Sequence, residues 1–352
     1  MVALIMAGGF GKRFWPLSRK SRPKQFLKIV SDEKTLLQMT FERLLPRFTA
    51  DKVFVVTASN QSNLIRENLP SIPDRNIIIE PFGMNTAPCI ALATAYIAEF
   101  FPPNETIVVL PSDHLIEKKT HFLELLEYAL KAANKGYLVT FGIKPDKSST
   151  AYGYIETGDE IENGIFQVKS FKEKPDLATA QEFIELGNFM WNSGMFVWKI
   201  NTIEKAISEF LPEVTNLTEK IKCRWSQYGY NHDISDIYKE MPFLPVDVGI
   251  MEKAHNRLVI PVDIGWNDVG SWNAVYEISK KDKYGNVHKN KIFNIDSNNN
   301  YILSQKPVCL IGVDNTVFVE TDDVILISNK EETEKVKNIV KILEESNSKE
   351  LL

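Results

Sequence analysis

Short apolar runs rich in β-branched residues recur along the first 150 positions, with helical stretches between them. The runs predict buried strands, and the stretches between them predict helices. The predicted strands are 2–6, 52–57, 76–80, 106–110 and 137–142, and the predicted helices are 34–45, 60–69, 87–100 and 120–135. This alternation indicates an α/β fold with a doubly wound, mixed but mostly parallel sheet. Ligands of such folds lie at the carboxyl ends of the strands.

The pattern changes after residue 150. A-Y-G-Y-I-E-T-G predicts a strand entering a turn, V-K-S-F-K-E-K-P predicts an alternating strand that stops at proline, and W-N-S-G-M-F-V-W predicts an aromatic, apolar segment around a turn. We expect these segments to be mixed or antiparallel strands inserted into the first sheet. Residues 200–255 are predicted to be mostly helical, with loops at 225–235 and 242–246. The start of the first helix is open, because either Thr35 or Ser31 is suited to cap it.

A polar, turn-rich stretch, K-K-D-K-Y-G-N, predicts a domain boundary near 280–290. We therefore expect a large α/β domain over 1–283 and a small β domain over 284–352. The short strands of the second domain, separated by turns such as the asparagine run 298–300, favour a short β-solenoid. A final amphipathic helix is predicted from the spacing of four apolar residues, Val336, Ile339, Val340 and Leu343.

Composition excludes several classes of protein. Hydrophobic residues make up 44% and charged residues 25% of the 352 positions, as in a soluble globular protein. No apolar run approaches the roughly 18 residues of a membrane span, and the amino terminus lacks the features of a signal peptide. The three cysteines form no CxxC pair and no zinc spacing, so reduced thiols in a cytoplasmic protein are expected. The net charge of −5 argues against a nucleic-acid binder.

Seven cations nevertheless follow the first strand, with no acidic residue before Asp32. They are Lys12, Arg13, Arg19, Lys20, Arg22, Lys24 and Lys28. The glycines before them match neither a complete dinucleotide fingerprint nor a Walker A motif. A glycine loop after a strand still directs backbone N–H groups at an anion, and the Arg13 fork suits phosphate oxygens. A tight turn with solvated cations is the alternative.

Aspartates at two other positions predict a metal site. Asp113, in L-P-S-D-H-L, follows a predicted inner strand, and Asp263 and Asp268 flank a turn in V-D-I-G-W-N-D-V-G-S-W. Magnesium bound with substrate phosphates needs only one or two protein carboxylates. The residues alone leave open which of Asp263 and Asp268 joins Asp113.

Polar residues beside other turns suit a base or a sugar. Asn85 and Thr86 in E-P-F-G-M-N-T-A-P could read a base edge or cap the next helix. Glu173 in F-K-E-K-P and Asn192 in W-N-S-G suit sugar hydroxyls, and Lys174 suits a phosphate. Each is also compatible with an ordinary surface turn.

These blocks together, with G-G-F-G-K-R-F-W-P-L-S, R-P-K-Q-F, Y-G-Y-I and G-W-N-D-V-G-S-W, closely resemble the bacterial mannose-1-phosphate guanylyltransferases over residues 1 to about 275. The resemblance implies a nucleotide-diphospho-sugar transferase fold followed by a short, left-handed β-helix-like domain. It implies that GTP and mannose 1-phosphate give GDP-mannose and pyrophosphate with Mg²⁺. The sugar phosphate would attack the α-phosphorus in line, without a covalent enzyme intermediate.

The resemblance also implies roles for individual residues. Arg13, Lys24, Asp113 and Asp268 are the implied catalytic residues, with Asp113 and Asp268 on the metal and Asp263 less favoured. The implied nucleotide-binding residues are Ala7, Gly8, Gly9, Gly11, Lys12, Arg13, Asn85, Thr86, Ser112 and Asp113. The implied sugar-phosphate-binding residues are Tyr152, Gly153, Glu173, Lys174, Asn192, Ser193 and Gly194.

Two departures from the family pattern stand out. Many relatives carry a basic residue where this chain has Met84, and longer relatives add a phosphomannose isomerase domain that is not expected here. A homodimer built on the terminal helix is a further hypothesis. The rival functions are a pyrophosphorylase for another pair, such as UTP and glucose 1-phosphate, a glycosyltransferase, and a non-catalytic sugar-nucleotide sensor. The single Asp of L-P-S-D-H, where glycosyltransferases usually carry D-x-D, disfavours the glycosyltransferase. A sensor need not keep both the cations and the metal ligands, so it is disfavoured by the retained Arg13, Lys24, Asp113 and Asp268.

Overall fold

The computed structural model describes residues 1–9, 11–162, 164–346 and 348–352, so that Phe10 of the glycine loop lies outside it. The chain divides into two compact units. The first comprises Met1–Gly8, Phe41–Ser112 and Ile116–Trp266, and the second comprises Gly9–Thr40, Asp113–Leu115 and Asn267–Leu352. The glycine loop and both aspartate motifs therefore contribute residues to each unit. The domain boundary predicted at 283/284 stays a prediction.

A nine-stranded sheet forms the centre of the first unit. The strands up to residue 267 are β1 (Val2–Met6), β2 (Val53–Ala58), β3 (Ile77–Glu80), β4 (Thr106–Pro111), β5 (Leu115–Ile116), β6 (Leu138–Ile143), β7 (Tyr154–Glu162), β8 (Ile165–Lys172), β9 (Phe189–Lys199), β10 (Arg257–Val262) and β11 (Trp266–Asn267). All but β5 and β11 join this sheet, in the order β3-β2-β1-β4-β9-β6-β10-β8-β7. The pairings make every strand of the sheet except β8 and β9 run in one direction. The predicted fold class is confirmed.

The five predicted strands are present, and four of them are apolar runs buried on both faces. The exception is the edge strand β3, in which Ile79 is 38% exposed. In the central strand β1, the residues Val2 to Ile5 are fully buried. Ile5 pairs with Val55 on one side and with Leu110 on the other. The carboxyl ends of β1 and β4 therefore lie side by side.

Helices connect these strands. They are α1 (Leu36–Leu44), α2 (Ser62–Asn68), α3 (Thr86–Ala98), α4 (Lys119–Asn134), α5 (Leu177–Leu186), α6 (Ile200–Phe210), α7 (Pro212–Tyr228) and α8 (Ser235–Tyr238). Thr35 caps α1 in a reciprocal box, because its hydroxyl accepts from Gln38 N and the Gln38 side chain accepts from Thr35 N. The loop predicted from residue 225 starts too early, since α7 continues to Tyr228. Within the described ranges, no helix is long and apolar enough to cross a membrane.

W-N-S-G-M-F-V-W is an inserted antiparallel strand, as predicted, but the turn predicted within it is wrong. These residues belong to the continuous strand β9, which pairs with β4, β6 and β7. Gly194 has a φ of 68°, and the register against β6 shifts between Thr140 and Gly142. The Asn-Ser-Gly signal therefore marks an irregularity within a strand, where glycine accepts a conformation that other residues avoid.

The second unit contains stacked short strands and two helices. They are β12 (Val287–His288), β13 (Ile292–Ile295), β14 (Tyr301–Leu303), β15 (Val308–Ile311), β16 (Thr316–Glu320) and β17 (Ile325–Asn329), with α9 (Trp272–Ile278) and α10 (Val336–Glu345). Parallel ladders β12-β14-β16 and β13-β15 give the expected β-helix, and β17 closes it antiparallel to β16. Buried Asn286 and Asn300 are stacked, since Asn300 Nδ2 donates to Asn286 Oδ1.

The terminal helix is present as predicted. Val336 and Val340 of α10 are buried in the core of the second unit, and Leu343 packs against that core. Ile339, which the spacing placed on the same face, is 40% exposed. Whether the helix also takes part in a homodimer stays a prediction.

Candidate active site

The glycine loop of the second unit is shaped by its contact with Lys24. Gly11 has a φ of 60°, and a Cβ built there would clash with Lys24 Cβ. Both the left-handed backbone and the close approach therefore require glycine. Gln25 Nε2 also donates to the Gly9 carbonyl, at 3.0 Å. Lys24 and Gln25 together fix the path of the loop.

Lys24 connects the two aspartate motifs. Its Nζ atom donates to Asp113 Oδ2 at 2.8 Å and to the backbone oxygen of Asp268 at 2.7 Å. The ammonium also lies 5.5 Å from the centre of the Phe14 ring, and the residue is 5% exposed. Burial of a lysine is tolerated when it is paired in this way. The structure therefore brings the predicted residues Lys24, Asp113 and Asp268 together.

The charge state of Asp113 follows from these neighbours. Burial by itself would raise the pKa of the Asp113 carboxyl, but the charges of Lys24 and His114 and the Lys24 hydrogen bond outweigh it. The net effect lowers the pKa of Asp113. Asp113 is therefore an ionised carboxylate at neutral pH, with its side chain 32% exposed.

Backbone strain accompanies Asp268. The next residue, Val269, has a φ of 47°, which is unusual for a β-branched side chain. Val269 is fully buried, and its N–H donates to Asn267 Oδ1 at 2.7 Å. A Cβ on Gly270 would come within 2.5 Å of Asp268 Oδ2. The turn is thus held by packing in a form that leaves room for the Asp268 carboxylate beside Gly270.

Asp263 lies in a different setting, in the first unit. Its side chain is 86% exposed and forms an ion pair with Lys118 at 2.6 Å. Asp263 is therefore a solvent-exposed charge that is paired with Lys118. The preference for Asp268 as the metal ligand is still a prediction.

Two of the loop cations bind acids near the carboxyl terminus. Arg13 Nε lies 2.9 Å from Glu334 Oε2, and Lys12 Nζ lies 2.6 Å from Glu344 Oε1. Arg13 also lies 3.4 Å from the Gly270 carbonyl. These side chains are partly exposed, and such pairs are weak, so a polyphosphate could displace the acids.

In the first unit, the end of β1 faces a carboxylate that the sequence analysis missed. Ala7 N donates to the Val56 carbonyl at 2.8 Å. A Cβ on Gly8 would lie 3.3 Å from Glu80 Oε2. Glu80 Oε1 accepts from the Tyr238 hydroxyl at 2.7 Å and from Met84 N at 3.2 Å. Burial raises the pKa of Glu80, and these two hydrogen bonds oppose it.

Asn85 and Thr86 perform structural roles in this region. Asn85 caps α3, since its Oδ1 accepts from Thr86 N at 2.8 Å. The Thr86 hydroxyl accepts from Val246 N at 2.8 Å. Ser112 is buried, and its N–H donates to the Met6 carbonyl at 3.0 Å. The helix-cap alternative is correct for Asn85, and a contact of either residue with a base stays a prediction.

The residues predicted for the sugar form a second cluster in the first unit. A Cβ on Gly153 would lie 2.5 Å from Glu173 Oε2 and 3.5 Å from Asn192 Cβ. Asn192 N donates to the Gly153 carbonyl at 2.8 Å. Gly153 therefore leaves space in front of one carboxylate and one amide, which suit sugar hydroxyl groups.

The neighbours of this cluster were also predicted. Lys174 has a φ of 44° and forms an ion pair with Glu173. Tyr152 packs against Trp191 and Trp266, with ring centres 4.7 and 5.5 Å away. Ser193 is buried, and its hydroxyl accepts from Met195 N. Gly194 N donates to Asn192 Oδ1. Ser193 and Gly194 thus shape the strand around Asn192.

Asp247 is the second carboxylate that the sequence analysis missed. It begins a five-residue π-helix, Asp247–Met251, and its Oδ1 accepts from Asn192 Nδ2 at 2.8 Å. Burial and the nearby charge of Glu173 raise the pKa of Asp247 to about 7. A single acid within the apolar stretch L-P-V-D-V-G-I-M was a usable signal, as was Glu80 at the carboxyl end of a predicted strand.

The carboxylates of the second unit fit magnesium. Mg²⁺ prefers oxygen ligands and, with substrate phosphates, needs only one or two carboxylates. Asp113 is ionised and partly exposed, and Asp268 is held near the same lysine. Among the residues that the structure describes, no group of three or more His, Cys, Asp or Glu is placed to hold a metal. The described residues therefore contain no set of side chains suited to zinc coordinated by protein ligands alone.

Comparison with known proteins places the chain in a family. The nucleotidyl transferase model matches residues 2–284, and the MannoseP isomerase/GMP-like β-helix domain model matches residues 290–343. Mannose-1-phosphate guanylyltransferase 2 of Escherichia coli O157:H7 is 38% identical over 97% of this chain and 73% of that protein. Mannose-1-phosphate guanylyltransferase RfbM of Salmonella typhimurium is 39% identical over 99% of this chain and 73% of that protein.

A solved structure agrees with these matches over nearly the whole chain. The crystal structure described as mannose-1-phosphate geranyltransferase from Thermus thermophilus has a TM-score of 0.87 and 31% identity, covering 97% of this chain and 99% of that one. The two family models and the near-complete coverage of this chain by curated relatives lead to the same conclusion. The chain belongs to the mannose-1-phosphate guanylyltransferase family of nucleotidyl transferases.

Proposed function

We propose that the protein is a Mg²⁺-dependent mannose-1-phosphate guanylyltransferase, which converts GTP and mannose 1-phosphate into GDP-mannose and pyrophosphate. The observation that carries this proposal is the convergence of Lys24, Asp113 and Asp268. A transfer between two polyanions needs such a combination of a buried cation and metal-binding carboxylates. The names of the relatives support the choice of GTP and mannose 1-phosphate.

The reaction exchanges one P–O bond for another. A phosphate oxygen of mannose 1-phosphate attacks the α-phosphorus of GTP, and the bond from that phosphorus to the bridging α,β-oxygen breaks. Pyrophosphate leaves with the bonding electron pair, in line with the attacking oxygen. The protein forms no covalent bond to substrate, so its contribution is positioning and electrostatic stabilisation.

The loop cations neutralise the phosphates. The backbone N–H groups of Gly8, Gly9 and Gly11 cradle the triphosphate, with Ala7, Lys12 and Ser112 beside it. Arg13 and Lys24 offset the charge that develops at the α-phosphate and on the leaving pyrophosphate. Arg13 would exchange Glu334 for a phosphate when GTP binds.

Asp113 and Asp268 would hold the magnesium ion. When bound, Mg²⁺ neutralises phosphate charge and lowers the repulsion between the two substrates. The chain itself keeps Asp113 ionised through Lys24, so that a carboxylate oxygen is available without a change of protonation. Asp263, paired with Lys118 on the surface, takes no part.

Glu80 accounts for the selection of guanine over adenine. Its Oε1 already accepts two hydrogen bonds, and no donor among the described residues reaches Oε2. A carboxylate oxygen at that place can accept from the N1–H and N2–H₂ donors of guanine. Adenine presents an acceptor at N1 and no amino group at C2, so it would leave the carboxylate unpaired. Asn85 and Thr86 position the start of α3 near the base.

The sugar is assigned to the second cluster of the first unit. Gly153, Glu173 and Asn192 contact mannose hydroxyls, with Tyr152, Ser193 and Gly194 around them. Lys174, 59% exposed, turns to the sugar phosphate. We also propose that the protein is cytoplasmic and that it forms a homodimer. Neither property enters the reaction described above.

A substrate matrix tests this function. Pyrophosphate release is measured with Mg²⁺ for each of the four nucleoside triphosphates with mannose, glucose or N-acetylglucosamine 1-phosphate. Release with GTP and mannose 1-phosphate alone is the expected result. Release only with another pair, such as UTP and glucose 1-phosphate, would overturn the base and sugar assignments. No release from folded protein that binds a nucleotide would favour a sensor.

A further inference from the structure

Asp247 contacts Asn192 of the predicted sugar cluster, although it lies outside the sequence motifs from which that cluster was predicted. The residue starts the π-helix Asp247–Met251, and its backbone oxygen accepts from Glu252 N at 2.8 Å. Single π-helical turns are rare and frequently accompany functional sites. The carboxyl group of Asp247 accepts a hydrogen bond from the Asn192 side chain.

The Asn192 side chain is held at both ends. Its Nδ2 donates to Asp247 Oδ1 at 2.8 Å, and its Oδ1 accepts from Gly194 N at 3.2 Å. The Thr140 hydroxyl lies 3.2 Å from the same Oδ1 and 3.0 Å from the Met195 carbonyl, and its one proton can serve either. An asparagine has two donor hydrogens and one acceptor oxygen. Asp247 thus fixes which end of the amide is the donor.

Two charged side chains, Glu173 and Lys174, act on Asp247. Glu173 is paired with Lys174, while Glu252 Oε1 accepts from Glu173 N at 3.1 Å. A like charge nearby disfavours the ionised form of a carboxyl group. Burial and the charge of Glu173 raise the pKa of Asp247 to about 7, although the charge of Lys174 and the hydrogen bond from Asn192 oppose them.

We propose that Asp247 is a positioning residue for the sugar phosphate, which holds the Asn192 amide through the hydrogen bond from Nδ2 to Oδ1 and so orients it toward the substrate. This inference rests on the proposed function. Ionisation of Asp247 would add a negative charge to a site that receives a phosphorylated sugar. Binding of mannose 1-phosphate should therefore weaken as the pH rises through neutrality.

Three variants separate these effects in steady-state assays from pH 6 to 8.5. Asp247→Asn keeps an acceptor for Asn192 and cannot ionise. Asp247→Ala removes the acceptor. Asp159→Asn, at an exposed position in β7, is the control for loss of a carboxylate. The titration of the substrate phosphate affects every variant equally, so ratios of KM to wild type isolate the residue.

We expect Asp247→Ala to raise KM for mannose 1-phosphate roughly tenfold or more near pH 6, the scale of one lost hydrogen bond at a desolvated polar group, with KM for GTP unchanged. Above pH 7.5 the rise relative to wild type should be smaller, because alanine also removes the charge of the ionised carboxyl group. Asp247→Asn should match wild type near pH 6 and bind mannose 1-phosphate more tightly than wild type above pH 7.5. Asp159→Asn should follow wild type throughout.

Two results would overturn the proposal. One is an unchanged KM for mannose 1-phosphate in Asp247→Ala from an otherwise active protein. The other is an equal rise of KM for GTP and mannose 1-phosphate together with a lowered Tm, which would make Asp247 purely structural. If wild type releases no pyrophosphate from this pair, the proposed function fails first, and the two failures are thus distinguished.

Discussion

Lys24 Nζ lies 2.8 Å from Asp113 Oδ2, and the same ammonium lies 2.7 Å from the backbone oxygen of Asp268. Asp113 follows Lys24 by 89 positions in the chain and Asp268 follows it by 244, yet both contact this one buried cation. This arrangement explains a lysine that is 5% exposed, because a buried ammonium needs partners of opposite polarity. It also favours the ionised form of Asp113, the carboxylate that we propose as a metal ligand.

The two proposed metal ligands can be tested against Asp263. Asp113→Ala and Asp268→Ala should each reduce kcat/KM at least about a hundredfold, the scale of losing a preorganised electrostatic group. Asp263→Ala removes an exposed pair with Lys118 and a hydrogen bond from the Gly265 backbone, and it should keep nearly full activity. Pyrophosphate release as a function of Mg²⁺ concentration gives both the rate and the metal dependence. A strong loss in Asp263→Ala with an active Asp268→Ala would reverse the assignment.

Gly11 and Gly9 should respond differently to alanine. At Gly11 the added Cβ would overlap Lys24 Cβ, and the left-handed backbone costs a further 1–2 kcal/mol or so. Gly11→Ala should therefore lower the free energy of unfolding by at least about 2 kcal/mol. At Gly9 the Cβ meets no atom within 4 Å, so Gly9→Ala should leave the Tm of the free protein unchanged. Thermal unfolding without ligand checks both, and equal Tm values would contradict the contact between Gly11 and Lys24.

Arg13 is expected to act on the transferred phosphates. Arg13→Ala should lose at least roughly 2–4 kcal/mol of transition-state stabilisation, measured as the change in kcat/KM. Glu334→Gln is the matched control, since it removes the ion pair and leaves the guanidinium. That variant should retain kcat and bind GTP as well as wild type or slightly better. An equal loss in both variants would show that the pair with Glu334 matters and that the phosphate contact does not.

Stability should depend on pH through Asp247. Its pKa is raised from 3.8 to about 7, so between these values the folded protein keeps a proton that the unfolded chain releases. Stability contributed by this group is therefore full at low pH and is lost as the pH rises toward 7. Asp247→Asn lacks this loss and should gain stability relative to wild type across that window, by at most about 4 kcal/mol. Urea unfolding of both proteins at pH 5 and pH 8 measures the difference, and a difference independent of pH would contradict the prediction.

Local pattern was sufficient for most of the first unit. The strands β1, β2 and β4 are apolar runs whose burial on both faces is visible in the sequence, and β3 is a shorter apolar run at the edge of the sheet. The helices between them follow from their helical patterns and from caps such as Thr35. The catalytic candidates Lys24, Asp113 and Asp268 were also found from the sequence, because each lies in a compact motif after a predicted strand or within a glycine-containing turn. Their roles still await the experiments above.

What the sequence by itself determined were the α/β class, the β-helix with its terminal helix, and the residue types of a phosphate and sugar site. Tertiary structure decided where those residues point. Gly194 lies within strand β9 because pairing with β4, β6 and β7 overrides the local turn signal. The proposals for Glu80 and Asp247 rest on their positions beside Gly8 and Asn192, which are distant from them in the chain. Burial, hydrogen bonding and shared charge arise between such segments, and periodicity along one segment contains no information about them.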